Sequence, residues 1–135
     1  MNEKAIQEKY IEFQMIHQQL AELQKQAQTA AQQISELEAS KQSLSELAEL
    51  KPGSDILVPV QNGIFVKAKL GELDSLTVNV GSGIAVDKSI DETKKILEEQ
   101  QQELSNFRQQ IVAELKENLT RARELEKELI DVVKS

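Results

Sequence analysis

The chain has 135 residues and a net charge of −7, with no cysteine, no tryptophan, one tyrosine and three phenylalanines. The missing thiols exclude disulfides, thiolate metal sites and a cysteine nucleophile, and the scarcity of large side chains argues against an ordinary globular core. Acids outnumber bases 8 to 4 in residues 1–50, match them 4 to 4 in 51–88 and outnumber them 11 to 8 in 89–135; without a basic stripe, nucleic acid is not the expected partner. The first predicted element is a helix over residues 1–50. Its apolar residues recur every three then four positions: Phe13, Ile16, Leu20, Leu23, Ala27, Ala30, Ile34, Leu37, Leu44 and Ala48, with Lys41 the one polar exception. A 3.5-residue period keeps one seam facing a partner helix in a coiled coil. The first fifty residues also hold ten glutamines, which suits a solvated helix surface. Leu50-Lys51-Pro52-Gly53 ends the helix, because proline disfavours helix at the preceding residue and glycine opens a turn.

Residues 51–88 read as two β-hairpins. Ile56, Val58 and Val60 alternate, Asn62-Gly63 turns the chain, and Ile64, Val66, Ala68 and Leu70 alternate on the return. Asn-Gly is a strong hairpin signal, since both residues tolerate positive φ. Leu76, Val78 and Val80 then lead through Gly81-Ser82-Gly83 to Ile84 and Val86. Pro59 lacks an N–H and so demotes its strand to an edge or a bulge. Two hairpins this short enclose no core alone. Their apolar residues (Val58, Val60, Ile64, Val66, Val78, Val80, Ile84 and Val86) call for cover from another copy or a related chain, which makes the centre an assembly platform.

The second helix, residues 89–135, opens at Ser89 with Glu92 three residues on, the spacing of a capping box. A second seam runs through Ile90, Leu97, Leu104, Ile111, Asn118, Leu125 and Val132. Two heptad stretches in one chain, joined by a compact connector, predict a mostly α protein built as an antiparallel coiled-coil hairpin, with 1–135 as a single unit. Lys41 and Asn118, at core positions, either set helix register or reach solvent along a narrow seam. Glu117 and Arg121 have the i,i+4 spacing of a helix surface pair. His17 stands without clustered ligands and reads as a solvated helix residue. Gly81-Ser82-Gly83 is too short for a phosphate loop and reads as a turn. Neither a catalytic constellation nor a metal or cofactor site is expected, and with no apolar run at the N-terminus or of membrane-spanning length the expected location is cytoplasmic.

The chain resembles the alpha-class subunit of prefoldin over essentially its whole length. The resemblance is carried by helix, two hairpins and helix in that order, and by local sequence. Leu57-Val58-Pro59-Val60 with Gly63-Ile64-Phe65-Val66-Lys67-Ala68 is similar to the family's first hairpin. Val78-Asn79-Val80-Gly81-Ser82-Gly83-Ile84-Ala85-Val86 is similar to its second, and Lys88-Ser89-Ile90-Asp91-Glu92 to its second-helix entry. The resemblance implies two alpha subunits joined to four beta-class subunits through a double β-barrel platform. It implies arms whose tips hold non-native client proteins without ATP and pass them to a group II chaperonin. The tips would then be the two termini, where apolar residues spread beyond a two-per-heptad seam. Ile6, Tyr10, Ile11 and Met15, with Leu129, Ile130 and Val133, are the expected client-binding residues. The alternative is a scaffolding coiled-coil oligomer or filament; a scaffold's arms should end in polar caps or a conventional seam.

Overall fold

The computed structural model describes residues 2–134. In chain order these form helix α1 (Glu3–Ala48), strands β1 (Asp55–Gln61), β2 (Ile64–Lys69), β3 (Leu76–Gly81) and β4 (Ile84–Lys88), and helix α2 (Ile90–Lys134). They make two compact units, one of residues 1–35 with 102–135, the other of residues 36–101.

The first unit pairs the N-terminal part of α1 with the C-terminal part of α2. Its core is Ile16 and Leu20 from one helix and Ala122 and Leu125 from the other, with Phe13 and Leu115 packed against them. Leu125 is fully buried, at 0% exposure, and Ile111 and Ala30 are also buried. Ion pairs then cross between the helices. Arg121 holds Glu12 by two parallel bonds, Nε to Oε1 at 2.8 Å and Nη2 to Oε2 at 3.1 Å. It also reaches Glu124 on its own helix at 3.4 Å, so its partners are these two and not the Glu117 that helical spacing suggested. Lys9 pairs with Glu128.

In the second unit α1 winds down earlier than Leu50. Glu49 and Leu50 donate to the carbonyls three residues back, Glu46 and Leu47, at 3.2 and 3.1 Å. Such tightened bonds satisfy part of a helix end that a following Pro-Gly prevents from continuing. Ala48, the last predicted seam residue, is consequently exposed. Lys41 stays in the seam. Its ammonium donates to Gln101 Oε1 at 3.2 Å and lies 3.5 Å from Glu38 and 3.8 Å from Glu98.

The hairpins form separate two-stranded antiparallel sheets, β1 with β2 and β3 with β4. Each carries a bulge, between Pro59 and Gln61 in the first and between Asn79 and Gly81 in the second. The first is the bulge that a proline without an N–H invites. Both turns fall where expected, and they differ in which residues take positive φ. Gly63 alone takes positive φ (79°) in the Asn-Gly turn, whereas Gly81, Ser82 and Gly83 all do (110°, 53° and 74°) in the second hairpin. Asparagine tolerates the left-handed region but glycine enters it without a Cβ penalty, so one glycine suffices where only one such residue is required.

α2 begins at the Ser89 cap. Glu92 N–H donates to Ser89 Oγ at 3.1 Å, as a capping box requires. The return half differs: Ser89 Oγ donates to the Glu92 carboxylate at 3.2 Å, so that carboxylate meets the hydroxyl. Buried Thr93 satisfies its own hydroxyl by donating to the Ser89 carbonyl at 2.8 Å.

Candidate functional site

The first unit opens into an apolar cleft at the start of α1 and the end of α2. Its volume is about 730 Å3 and its wall is almost wholly apolar. α1 contributes Ile6, Gln7, Tyr10, Ile11 and Phe13; α2 contributes Glu126, Leu129, Ile130, Val132, Val133 and Lys134. Helical geometry explains the opening. A two-helix seam consumes two positions per heptad, and here the apolar residues number more than that. Phe13 and Val132 continue the seam while Tyr10, Ile11, Ile130 and Val133 are left exposed, Val133 at 87%.

Six of the seven residues expected from the sequence to bind clients (Ile6, Tyr10, Ile11, Leu129, Ile130 and Val133) line this one cleft. Met15 does not; it is exposed on α1 outside it. Sequence reasoning passed over Phe13 and Val132 because their heptad positions assigned them to the core. It passed over Gln7, Glu126 and Lys134 because polar residues were not counted as wall, although their alkyl stems cover apolar surface.

The electrostatics beside the cleft are set by the two crossing ion pairs. The Arg121 guanidinium, bonded to Glu12, holds that carboxyl below its usual value of 4.5, and the same bond raises the Arg121 pKa. In the other unit Glu38 is likewise lowered, first by the Gln101 amide bonded to it at 2.8 Å and then by Lys41.

The second candidate surface is on the hairpins. Val58 pairs with Val66 across β1 and β2, and Val78 with Val86 across β3 and β4. Strand alternation places Ile64 on the first of these faces and Ile84 on the second, and Val60 and Val80 are the extra residues of the two bulges beside them. On the first face Val58, Ile64 and Val66 are exposed, with exposed Val60 beside them, while Ile56 and Ala68 are half-buried; on the second Ile84 is exposed, with exposed Val80 beside it, while Val78 and Val86 are half-buried. The two hairpins differ on their reverse faces. β3–β4 shows Thr77, Asn79, Ala85 and Asp87, whereas β1–β2 shows Leu57, Pro59 and Phe65 beside Lys67, with Phe65 56% exposed. Hairpin one therefore carries apolar residues on both faces, with the Asp55–Lys69 ion pair beside them on the reverse. The signal was present in the unbroken runs Ile56-Leu57-Val58-Pro59-Val60 and Ile64-Phe65-Val66, which mark a strand covered on both sides.

Among the described residues, no group of His, Asp or Glu is placed to hold a metal ion, and no helix is long and apolar enough to cross a membrane. Comparison with known proteins is specific. The family model described as Prefoldin subunit matches residues 16–135. The chain is 32% identical over 115 residues to the prefoldin subunit alpha of Thermofilum pendens, covering 85% of this chain and 89% of that one. It is 26% identical over 135 residues to the prefoldin subunit alpha of Methanococcus aeolicus, covering all of this chain and 91% of that one. Among solved structures, the filamentous PFD of Methanocaldococcus jannaschii, determined by cryo-EM, matches with a TM-score of 0.76 at 25% identity, over 85% of this chain and 95% of that one.

Proposed function

The chain belongs to the prefoldin family as an alpha-class subunit, a chaperone component that assembles with other prefoldin subunits, and we propose that its terminal cleft is the grip by which it holds non-native client proteins. The observation that carries this reading is the cleft itself: some 730 Å3 of apolar wall left open where two helices end. Apolar surface held in water gains free energy by covering any apolar segment that meets it. Such capture needs no nucleotide, in keeping with ATP-independent holding and later transfer to a group II chaperonin.

Assembly belongs to the other unit. The exposed valine and isoleucine faces and open strand edges of the hairpins are the surfaces through which this subunit, residues 1–135, joins its partners. The stoichiometry we propose is two of these chains with four beta-class subunits, in the cytoplasm, through a β-barrel platform. Hairpin one, with Leu57, Pro59 and Phe65 adding apolar surface on its reverse face, takes an interior place in that platform. A second reading is supported by the filamentous neighbour and by that extra apolar surface: a scaffold that continues assembling instead of closing.

The test has two parts. Native mass spectrometry of the complex recovered from its source should give two copies with four of a smaller partner; an open series of masses would favour the scaffold. Suppression of aggregation of a chemically denatured enzyme, with no ATP present, should require the cleft. Replacing exposed Tyr10, Ile130 and Val133 together by serine should remove most of the suppression while leaving the mass unchanged. Undiminished suppression by that variant would refute the grip.

A further inference from the structure

Resting on the reading of the terminal cleft as a grip, we infer that the segment it takes is an amphipathic α-helix, laid parallel to α2 as a third helix of the coil, and not an extended chain. Backbone satisfaction favours the helix. An extended segment carries an unpaired N–H and C=O at every residue, and burying these against an apolar wall is costly. A helix arrives with its own bonds made. Sites that take extended peptides offer a strand edge in exchange, and the cleft has none. Its walls are two helices whose amides are already used. The first turn of α1 is capped, with Ala5 N–H donating to Asn2 Oδ1 at 2.8 Å, and the free carbonyls of a helix's last turn point along its axis, not across a groove.

Dimensions agree. The lining runs from Ile6 to Phe13 on α1 and from Glu126 to Lys134 on α2, roughly 12 Å on each helix, or about two turns. Over that length a helix presents anchors at i, i+3 or i+4, and i+7. The cleft is also continuous with the interhelical interface, since Phe13 both lines it and packs against the Ile16, Leu20, Ala122 and Leu125 core. A third helix would extend that packing outward. Charge sets its direction: Glu126 stands at one end of the lining and Lys134 at the other. These complement the positive N-terminus and negative C-terminus of a helix running parallel to α2.

The chain supplies its own probe, because Tyr10 in the cleft is its only tyrosine and it has no tryptophan. An 18-residue amphipathic peptide with leucines at heptad spacing and one central tryptophan is titrated against the full chain. Its diastereomer with two central D-leucines, identical in composition but unable to stay helical, is titrated in parallel. Energy transfer from Tyr10 to the peptide tryptophan reports binding, and circular dichroism reports peptide helicity. The expected result is that the helical isomer binds about tenfold tighter or more, gains helix on binding and is weakened by Val133→Ser. Equal affinity of the two isomers overturns the helix assignment and leaves the grip reading standing. Failure of both peptides to bind a chain that still suppresses aggregation also overturns it. A chain that suppresses no aggregation refutes the grip, and this inference falls with it.

Discussion

Leu125→Ala and Val133→Ala, on the same helix, should have opposite consequences. Leu125 is 0% exposed inside the cluster of Ile16, Leu20 and Ala122, and Val133 is 87% exposed on the cleft wall. Removing three carbons from Leu125 forfeits about 2.4 kcal/mol of transfer free energy at roughly 0.8 per methylene. The void adds to this, and Leu→Ala changes in cores span about 2–5 kcal/mol. Because two helices can draw together more readily than a globular core can collapse, about 3 kcal/mol is expected. Val133→Ala should stay within about 0.5 kcal/mol. The assay is amide hydrogen exchange across residues 111–128, under conditions where exchange reports the opening equilibrium. At 1.4 kcal/mol per tenfold, Leu125→Ala should speed exchange about 100-fold and Val133→Ala only about twofold. Aggregation suppression should fall in the second variant despite its intact coil. If Val133→Ala opens the coil as Leu125→Ala does, the helix ends are packed together and the cleft is not a free surface. A cost under about 1 kcal/mol at Leu125 would mean the four-residue cluster is not what holds this unit.

Glu12 and Glu38 have folded-state pKa values below 4.5, so the native state keeps them ionised where the unfolded chain begins to protonate. Their contribution is present above 4.5 and lost as pH falls through the lowered values. Arg121 stays charged throughout, so Glu12→Gln should shrink the loss of melting temperature between pH 6 and pH 3; an unchanged loss would contradict the assignment. Lys41→Leu should raise the urea midpoint, by up to about 1 kcal/mol of stability, because Glu38 and Glu98 remain solvated when their partner goes. The same change removes the polar marker from the seam of that unit, so cysteine cross-linking between α1 and α2 should show more than one register; a single register would deny Lys41 that role. Phe65→Lys should lower the native mass of the complex, whereas Thr77→Lys, on the polar reverse face of the second hairpin, should not. Equal tolerance of both would deny hairpin one an interior place.

Much of this architecture was legible because coiled coils write their geometry into spacing. Phe13, Ile16 and Leu20 were found by counting threes and fours, and every predicted seam residue up to Leu44 is buried or half-buried. What spacing could not supply is anything decided between side chains distant in sequence. Arg121 had a plausible partner in Glu117 and took Glu12, 109 residues away, because a bidentate carboxylate across the helix pair offers two parallel bonds. The turns fall at Asn62-Gly63 and Gly81-Ser82-Gly83 as read, and only which residues take positive φ was not legible. Asn62-Gly63 names residues that permit positive φ at both positions, and permission does not fix which position uses it. The cleft was half legible: excess apolar residues were visible at both termini, but which of them face each other depends on how the helices are paired. Met15, equally apolar, falls outside for that reason.

The pairing at the open end poses a physical problem that the ion pairs answer. Helices that leave apolar residues unpacked lose the burial that would otherwise hold them together. Here Lys9 with Glu128, and Glu12 with Arg121, alternate along the helices with the cleft residues Ile6, Tyr10, Phe13 and Leu129. The ion-paired side chains are half-buried, and ion pairs that still reach solvent add only modestly to global stability. Their consequence is geometric: a bidentate guanidinium fixes the spacing and register of two helices without consuming an apolar position. A polar clasp beside an apolar wall therefore lets the helices remain paired while their greasy surface stays available, which is what a grip for non-native protein requires.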